Sequence, residues 1–136
     1  ETVLGYSERD GRIVCQNANF ICICPYEAKF PFEMWIVPVK QTANFTDSNK
    51  HFDDLARIVS ESVKRLKAVF EELPPFNMFI EEAPPKTYRD CDSFYCWRLR
   101  IMPRLTRIAG FELASGYFIN PTPPEQSAKL LKAVQL

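Results

Sequence analysis

Hydrophobic positions along the chain follow two periods, and the changes between them mark the elements. In 95-YCWRLRIMPRL-105 they alternate, with Trp97, Leu99 and Ile101 on one side and Cys96, Arg98 and Arg100 on the other, so Cys96–Met102 reads as a strand. Phe20–Cys24, ended by Pro25, and Phe32–Val37, stopped by Pro38, are apolar runs too short for amphipathic helices. Phe76–Glu81 reads as another strand, and Asp10-Gly11 is a turn signal between Thr2–Ser7 and Arg12–Gln16.

From His51 to Leu73 the period changes. Leu55, Ile58, Val59, Val63, Leu66, Val69, Phe70 and Leu73 recur at three- and four-residue steps and predict one long helix. Asp53 and Asp54 suit its positive end, Glu61 can pair with Lys64 or Arg65, and Pro74-Pro75 stop it. Ala83–Ser93 reads as a polar loop. In Thr122-Pro123-Pro124-Glu125 the threonine can cap and the glutamate can complete a capping box, with Ala128, Leu131 and Val134 on the buried side of the helix that follows. The order strand-strand-strand-helix-strand-strand-helix predicts an α+β fold, an antiparallel sheet with helices mainly on one face. Residues 1–136 read as a single domain without internal repeats.

Composition narrows the function classes. Lys and Arg number 17 and so do Asp and Glu, which removes a global argument for nucleic acid or an anionic membrane as partner. No apolar run is long enough for a membrane span, and no leader pattern is visible; the start at Glu1 rather than Met suggests a processed chain or an excised piece. The odd count of five cysteines argues for a reducing, cytoplasmic setting, and their C-x-C and C-x4-C spacings are not those of common zinc sites. They read as small buried hydrophobes. Asn44-Phe45-Thr46 fits the glycosylation sequon, a three-residue pattern that chance supplies.

Catalytic chemistry is sparse. His51 is the only histidine and lies at a helix start, where a surface or capping role is expected, so no cysteine–histidine nucleophile pair can be built without it. Four glycines leave no Gly-rich phosphate loop, and Ala114-Ser115-Gly116-Tyr117 is the nearest approach to a backbone anion nest. Arg98, Arg100, Arg104 and Arg107 either grip phosphate or pair with Glu81, Glu82 and Asp92. Glu81 and Glu82 are adjacent on a strand and so point to opposite faces, which speaks against a paired-acid catalyst.

Three segments together carry a resemblance. Phe30-Pro31-Phe32-Glu33-Met34-Trp35-Ile36-Val37-Pro38, then Trp97-x-Leu-x-Ile101-x-Pro103-x-Leu105, then Ala109-Gly110-Phe111-Glu112-x3-Gly116-x2-Ile119-Asn120-Pro121-x2-Pro124-Glu125 resemble the second half of the galactose-1-phosphate uridylyltransferase family. The Gly-Phe-Glu and Ile-Asn-Pro motifs are most like its ADP-glucose phosphorylase type. The resemblance implies a histidine-triad-like half, with one long helix packed on the sheet and a C-terminal helix. It also implies that the nucleophile, a His-Pro-His motif in the other half, is not in this chain, so no residue here is expected to be catalytic and no cofactor is expected.

Relatives use the segment matching Phe111, Glu112, Ser115, Gly116, Tyr117 and Asn120 to hold sugar hydroxyls and phosphate, often across a homodimer. Ala114 departs from their glycine. A turn that only docks the last helix is the competing reading. Elsewhere the positions where relatives carry histidines or a metal hold Gln41, Glu81, Cys96, Arg98 and Arg100. Because a guanidinium stays protonated and repels cations, no metal is expected, and a Glu81–Arg98 ion pair is expected in its place. The implied function is the C-terminal domain of a sugar-phosphate nucleotidyltransferase or nucleotide-sugar phosphorylase. Its partners would be a nucleotide sugar or sugar phosphate, with no nucleic acid and no membrane. The alternative is a degenerate, non-catalytic histidine-triad-like module kept for binding or assembly.

Overall fold

The computed structural model describes residues 10–84 and 94–136. Five strands, β1 (Ile13–Gln16), β2 (Phe20–Ile23), β3 (Met34–Pro38), β4 (Phe76–Glu81) and β5 (Arg98–Pro103), form one sheet in the order β1-β2-β3-β5-β4. Every pairing is antiparallel. Three α-helices complete it: α1 (Phe52–Phe70), entered through a 3₁₀ segment Phe45–His51, the short α2 (Gly110–Ser115) and α3 (Pro124–Ala133). This is the α+β architecture that the alternation of periods predicts. Thr2–Ser7 and most of the Ala83–Ser93 loop lie outside the described residues.

Strand alternation sorts residues onto two faces. Met34, Ile36, Leu99, Ile101, Phe20, Cys22 and Trp97 point to one face, where Leu55, Ile58 and Leu66 of α1 and Ala128 and Leu131 of α3 cover them. Trp97 is the largest side chain there; Phe45 and Phe20 meet its ring edge-on at 5.0 and 6.0 Å, and its indole N–H donates to the Ser48 hydroxyl at 3.0 Å. Ile23, Trp35 and Val37 point to the other face, joined by Ile13, Ile21 and Cys96. Cys15, Cys22 and Cys24 are buried free thiols, as small hydrophobes would be. Burial pushes the Cys24 thiol well above its ordinary value, which leaves it inert as a nucleophile.

Long-range ties fix the helices. Arg65 pairs with Glu61 one turn back at 2.8 Å and reaches across to the carbonyls of Leu131, Lys132 and Val134, closing the C-terminal end of α3 onto α1. Asn17 and Asn19 in the β1–β2 turn donate to the Asp54 carbonyl and carboxylate at the start of α1.

Several boundaries differ from expectation. β3 starts at Met34, because Phe32 adopts a positive φ of 59° that breaks the extended run, and it includes Pro38 at its end instead of stopping before it. A terminal proline is tolerated because no ladder bond there needs its N–H. α1 ends at Phe70, where Glu71 turns left-handed (φ 62°) before the prolines are reached, and Leu73 falls off the stripe into solvent. His51 is exposed at the N-cap but makes no side-chain cap bond, so only the surface half of its expected role stands. Thr122 does not cap α3: Pro123 takes the N-cap, the Ser127 N–H donates to its carbonyl, and Glu125 is one position too early to complete a box.

Candidate functional site

Two places hold the residues singled out from the sequence. The first is the face of the sheet turned away from α1 and α3. Trp35 of β3 and Arg100 of β5 are register partners, as are Glu81 of β4 and Arg98 of β5, so four side chains of three neighbouring strands meet there. Arg98 Nε donates to Glu81 Oε2 at 2.7 Å, and Arg100 Nη1 lies 3.5 Å from the same oxygen. The expected Glu81–Arg98 pair is therefore present. The arginine hydrogen bond and charge hold the Glu81 carboxyl below its ordinary range, outweighing partial burial.

The same face holds a residue whose role was not read from the sequence. Glu33 is completely buried. Its Oε1 accepts from Arg100 Nη2 at 2.7 Å and from the Trp35 indole at 2.8 Å, while its Oε2 accepts from the Lys29 backbone N–H at 2.9 Å. A buried carboxylate is tolerated only when its oxygens are matched in this way. Both guanidinium groups also lie over the Trp35 ring, Arg98 at 4.0 Å and Arg100 at 5.4 Å, and so replace the apolar cover that a second helix layer would provide. The signal was available: an acid between Phe32 and Met34, inside the most apolar run of the chain, needs a cation from elsewhere.

These side chains do not fit a metal. Arg98 and Arg100 are cations, and Glu81 is already engaged by both, so this set would repel a metal ion instead of binding one. Cys96 packs beside Trp35 and Val37, and burial raises its thiol above the ordinary value. Gln41 is exposed and lines a separate hollow with Asn19, Lys40 and Thr42. Glu82 turns the other way and accepts from the Phe45 N–H.

The second place is the segment from Ala109 to Asn120. Glu112 reaches back to the Ala109 N–H at 3.1 Å and closes the first turn of α2. Gly116 ends the helix left-handed (φ 73°), its N–H donating to the Glu112 carbonyl, and the Tyr117 N–H donates to Ser115 Oγ. Those two N–H groups are consumed internally at a helix C-terminus, so Ala114–Tyr117 is not an anion nest; the helix dipole there disfavours an anion as well. Asn120 is also fully employed, donating to the carbonyls of Ala28 and Phe30 and accepting from the Thr122 N–H. What the segment offers outward is apolar and aromatic: Phe111, Leu113, Tyr117 and Ile119 are all more than half exposed. Phe118 packs on Phe30 at 5.4 Å, so the segment is docked on the turn before β3.

No family model matches this chain. It is similar to curated proteins over nearly its whole length. An ADP-glucose phosphorylase of Arabidopsis thaliana is 30% identical over 128 residues, 91% of this chain and 35% of that protein. Galactose-1-phosphate uridylyltransferases of Saccharomyces cerevisiae and Thermotoga maritima are 31% and 24% identical over 93% and 96% of this chain. The chain spans roughly 35–43% of the length of these relatives. The crystal structure of an Arabidopsis thaliana ADP-glucose phosphorylase with bound ADP-glucose superposes with a TM-score of 0.90 at 28% identity, covering 98% of this chain and 43% of that one. A zinc-bound histidine triad protein of Mycobacterium smegmatis superposes at a TM-score of 0.61 and 17% identity, which shows the shared fold alone.

Proposed function

We propose that this chain, a relative of the galactose-1-phosphate uridylyltransferase family that matches its C-terminal half, serves as the corresponding domain of a sugar-phosphate nucleotidyltransferase or nucleotide-sugar phosphorylase. In this reading a histidine of the other half carries the nucleotidyl group covalently, and phosphate or a sugar phosphate attacks that intermediate. This half supplies the fold, part of a homodimer surface and contacts to the hexose phosphate. The observation that carries the reading is the Ala109–Asn120 segment. It is pinned at Asn120 and at Gly116, yet presents Phe111 and Tyr117 to solvent, as a surface built to meet something else would. β4 adds to it: at the edge of the sheet it exposes Met78, Phe79 and Ile80, which suits a subunit contact. The buried free thiols suit a reducing, cytoplasmic setting. Among the described residues no helix is long and apolar enough to cross a membrane.

The test uses the protein joined to its histidine-bearing half. Tyr117→Ala should raise KM for the hexose phosphate about tenfold, the value of one good aromatic or hydroxyl contact, while formation of the nucleotidyl-histidine is unchanged. An unchanged KM would remove the segment from the sugar site. The chain without that half should give no turnover, and burst labelling of it by a nucleotide sugar would contradict the assignment.

A second reading, a non-catalytic histidine-triad-like module for binding or assembly, draws on Arg98 and Arg100 standing where the family resemblance implies histidines or a metal site. The coding sequence ahead of Glu1 separates the two: a His-Pro-His half supports the enzyme, and an unrelated domain supports the module.

A further inference from the structure

A second hollow lies next to the charged face, bordered by residues 25–27. It holds about 450 Å³ between Asp10, Arg12, Pro25, Tyr26, Glu27, Trp35 and Arg98. That size suits a molecule of ten to twenty heavy atoms at most, on the order of the smaller ligand pockets of globular proteins. Its walls are mainly apolar, with Pro25 and Trp35 buried beneath and the Tyr26 ring, 81% exposed, standing at the mouth.

Two opposite charges flank this apolar floor. Arg98 is fixed in place, stacked on Trp35 at 4.0 Å and held through Nε by Glu81. Among the described residues its two Nη atoms make no hydrogen bond, which leaves a planar pair of donors. Glu27 lines the same hollow close enough to act electrostatically on Arg98. The other charges are already engaged: Arg12 pairs with Asp10 at 3.1 Å, and its buried Nε, which makes no hydrogen bond among the described residues, lies 3.5 Å from Glu125. The guanidinium of Arg12 also lies 5.8 Å from the Tyr26 ring centre, tying that exposed ring to the wall of the hollow.

A ligand entering here meets a guanidinium, a carboxylate and an aromatic wall, with no net charge to attract a phosphate. We propose that the hollow binds a free α-amino acid with an aromatic side chain. Its carboxylate lies on the Arg98 Nη donors, its ammonium on Glu27, and its ring against Tyr26. The fork of arginine matches a carboxylate with two parallel bonds, and a zwitterion satisfies both charges within one small molecule. The site is independent of the sugar contacts proposed above, so failure of either assignment leaves the other standing.

The experiment titrates L-phenylalanine into the purified protein and follows the Trp35 indole N–H by NMR. Saturable shifts are expected, weakened tenfold or more by acetylating the amino group and by amidating the carboxylate of the probe. Tyr26→Ala and Glu27→Gln, both at exposed positions that leave the fold intact, should weaken binding by a similar factor. Absence of a saturable shift at millimolar phenylalanine would overturn the proposal. So would equal binding of N-acetylphenylalanine, tighter binding of a purine nucleoside, or indifference to both variants.

Discussion

The two faces of the sheet are both closed, but by opposite means. Toward α1 and α3 the strands present Trp97, Leu99, Ile101, Met34 and Ile36, and apolar side chains of the helices cover them. On the other face Trp35 is only 4% exposed, although among the described residues no helix covers it; Arg98 and Arg100 lie on its ring, tied down by Glu33 and Glu81. Residues one step apart on a single strand, such as Leu99 and Arg100, serve these two designs. An apolar layer is stabilised by area and is indifferent to protonation, whereas a guanidinium cover holds only while its carboxylates are charged.

Three substitutions bear on this contrast, from the largest effect to the smallest. Trp97→Ala should cost about 3–5 kcal/mol, since it empties the apolar layer and strands the Ser48 hydroxyl. Denaturant unfolding at neutral and acid pH should give the same loss. A loss that varied strongly with pH would break the distinction between the faces.

Glu33→Ala should cost about 3 kcal/mol, because it leaves Arg100, only 11% exposed, without its main partner and removes the acceptor of the Trp35 indole and the Lys29 N–H. The Lys29 bond links the charged face to the turn that anchors Asn120. The variant should therefore also loosen the Ala109–Asn120 segment, seen as faster hydrogen exchange there. If exchange is unchanged, the two regions are separate.

Glu81→Gln should cost less, about 0.5–1 kcal/mol at neutral pH, since its side chain is 35% exposed and water screens it. Its folded carboxyl lies below the unfolded value, so the ion-pair contribution is complete above the ordinary carboxylate range. It is lost as pH falls through the lowered folded value. The stability difference between parent and variant should accordingly shrink in acid. A constant difference would assign the Glu81 contribution to packing instead of charge.

Much of the fold was legible because it rests on local rules. Alternation placed the two sides of β5 correctly, and three- and four-residue steps located the buried stripe of α1. Ends were read less well where backbone conformation decided them. Phe32 and Glu71 both take positive φ, which no side-chain pattern announces, and Pro123 rather than Thr122 starts α3. In the candidate site, the meeting of Glu81 and Arg98 was expected through the family resemblance, and the pairing of β4 with β5 places the two side by side. The occupation of Glu112, Ser115 and Asn120 by their own surroundings was not expected.

By itself the sequence determined the element order, the two-sided strands and the placing of Arg98 and Arg100 on one side of a strand opposite Trp97, Leu99 and Ile101, because periodicity and residue chemistry act over a few neighbours. Only the tertiary structure decided that Glu33 lies fully buried between Arg100, Trp35 and the Lys29 N–H. It also decided that Ala114–Tyr117 spends its N–H groups on itself. Desolvation depends on everything that surrounds an atom, and for Glu33 the decisive neighbour lies 67 residues away along the chain.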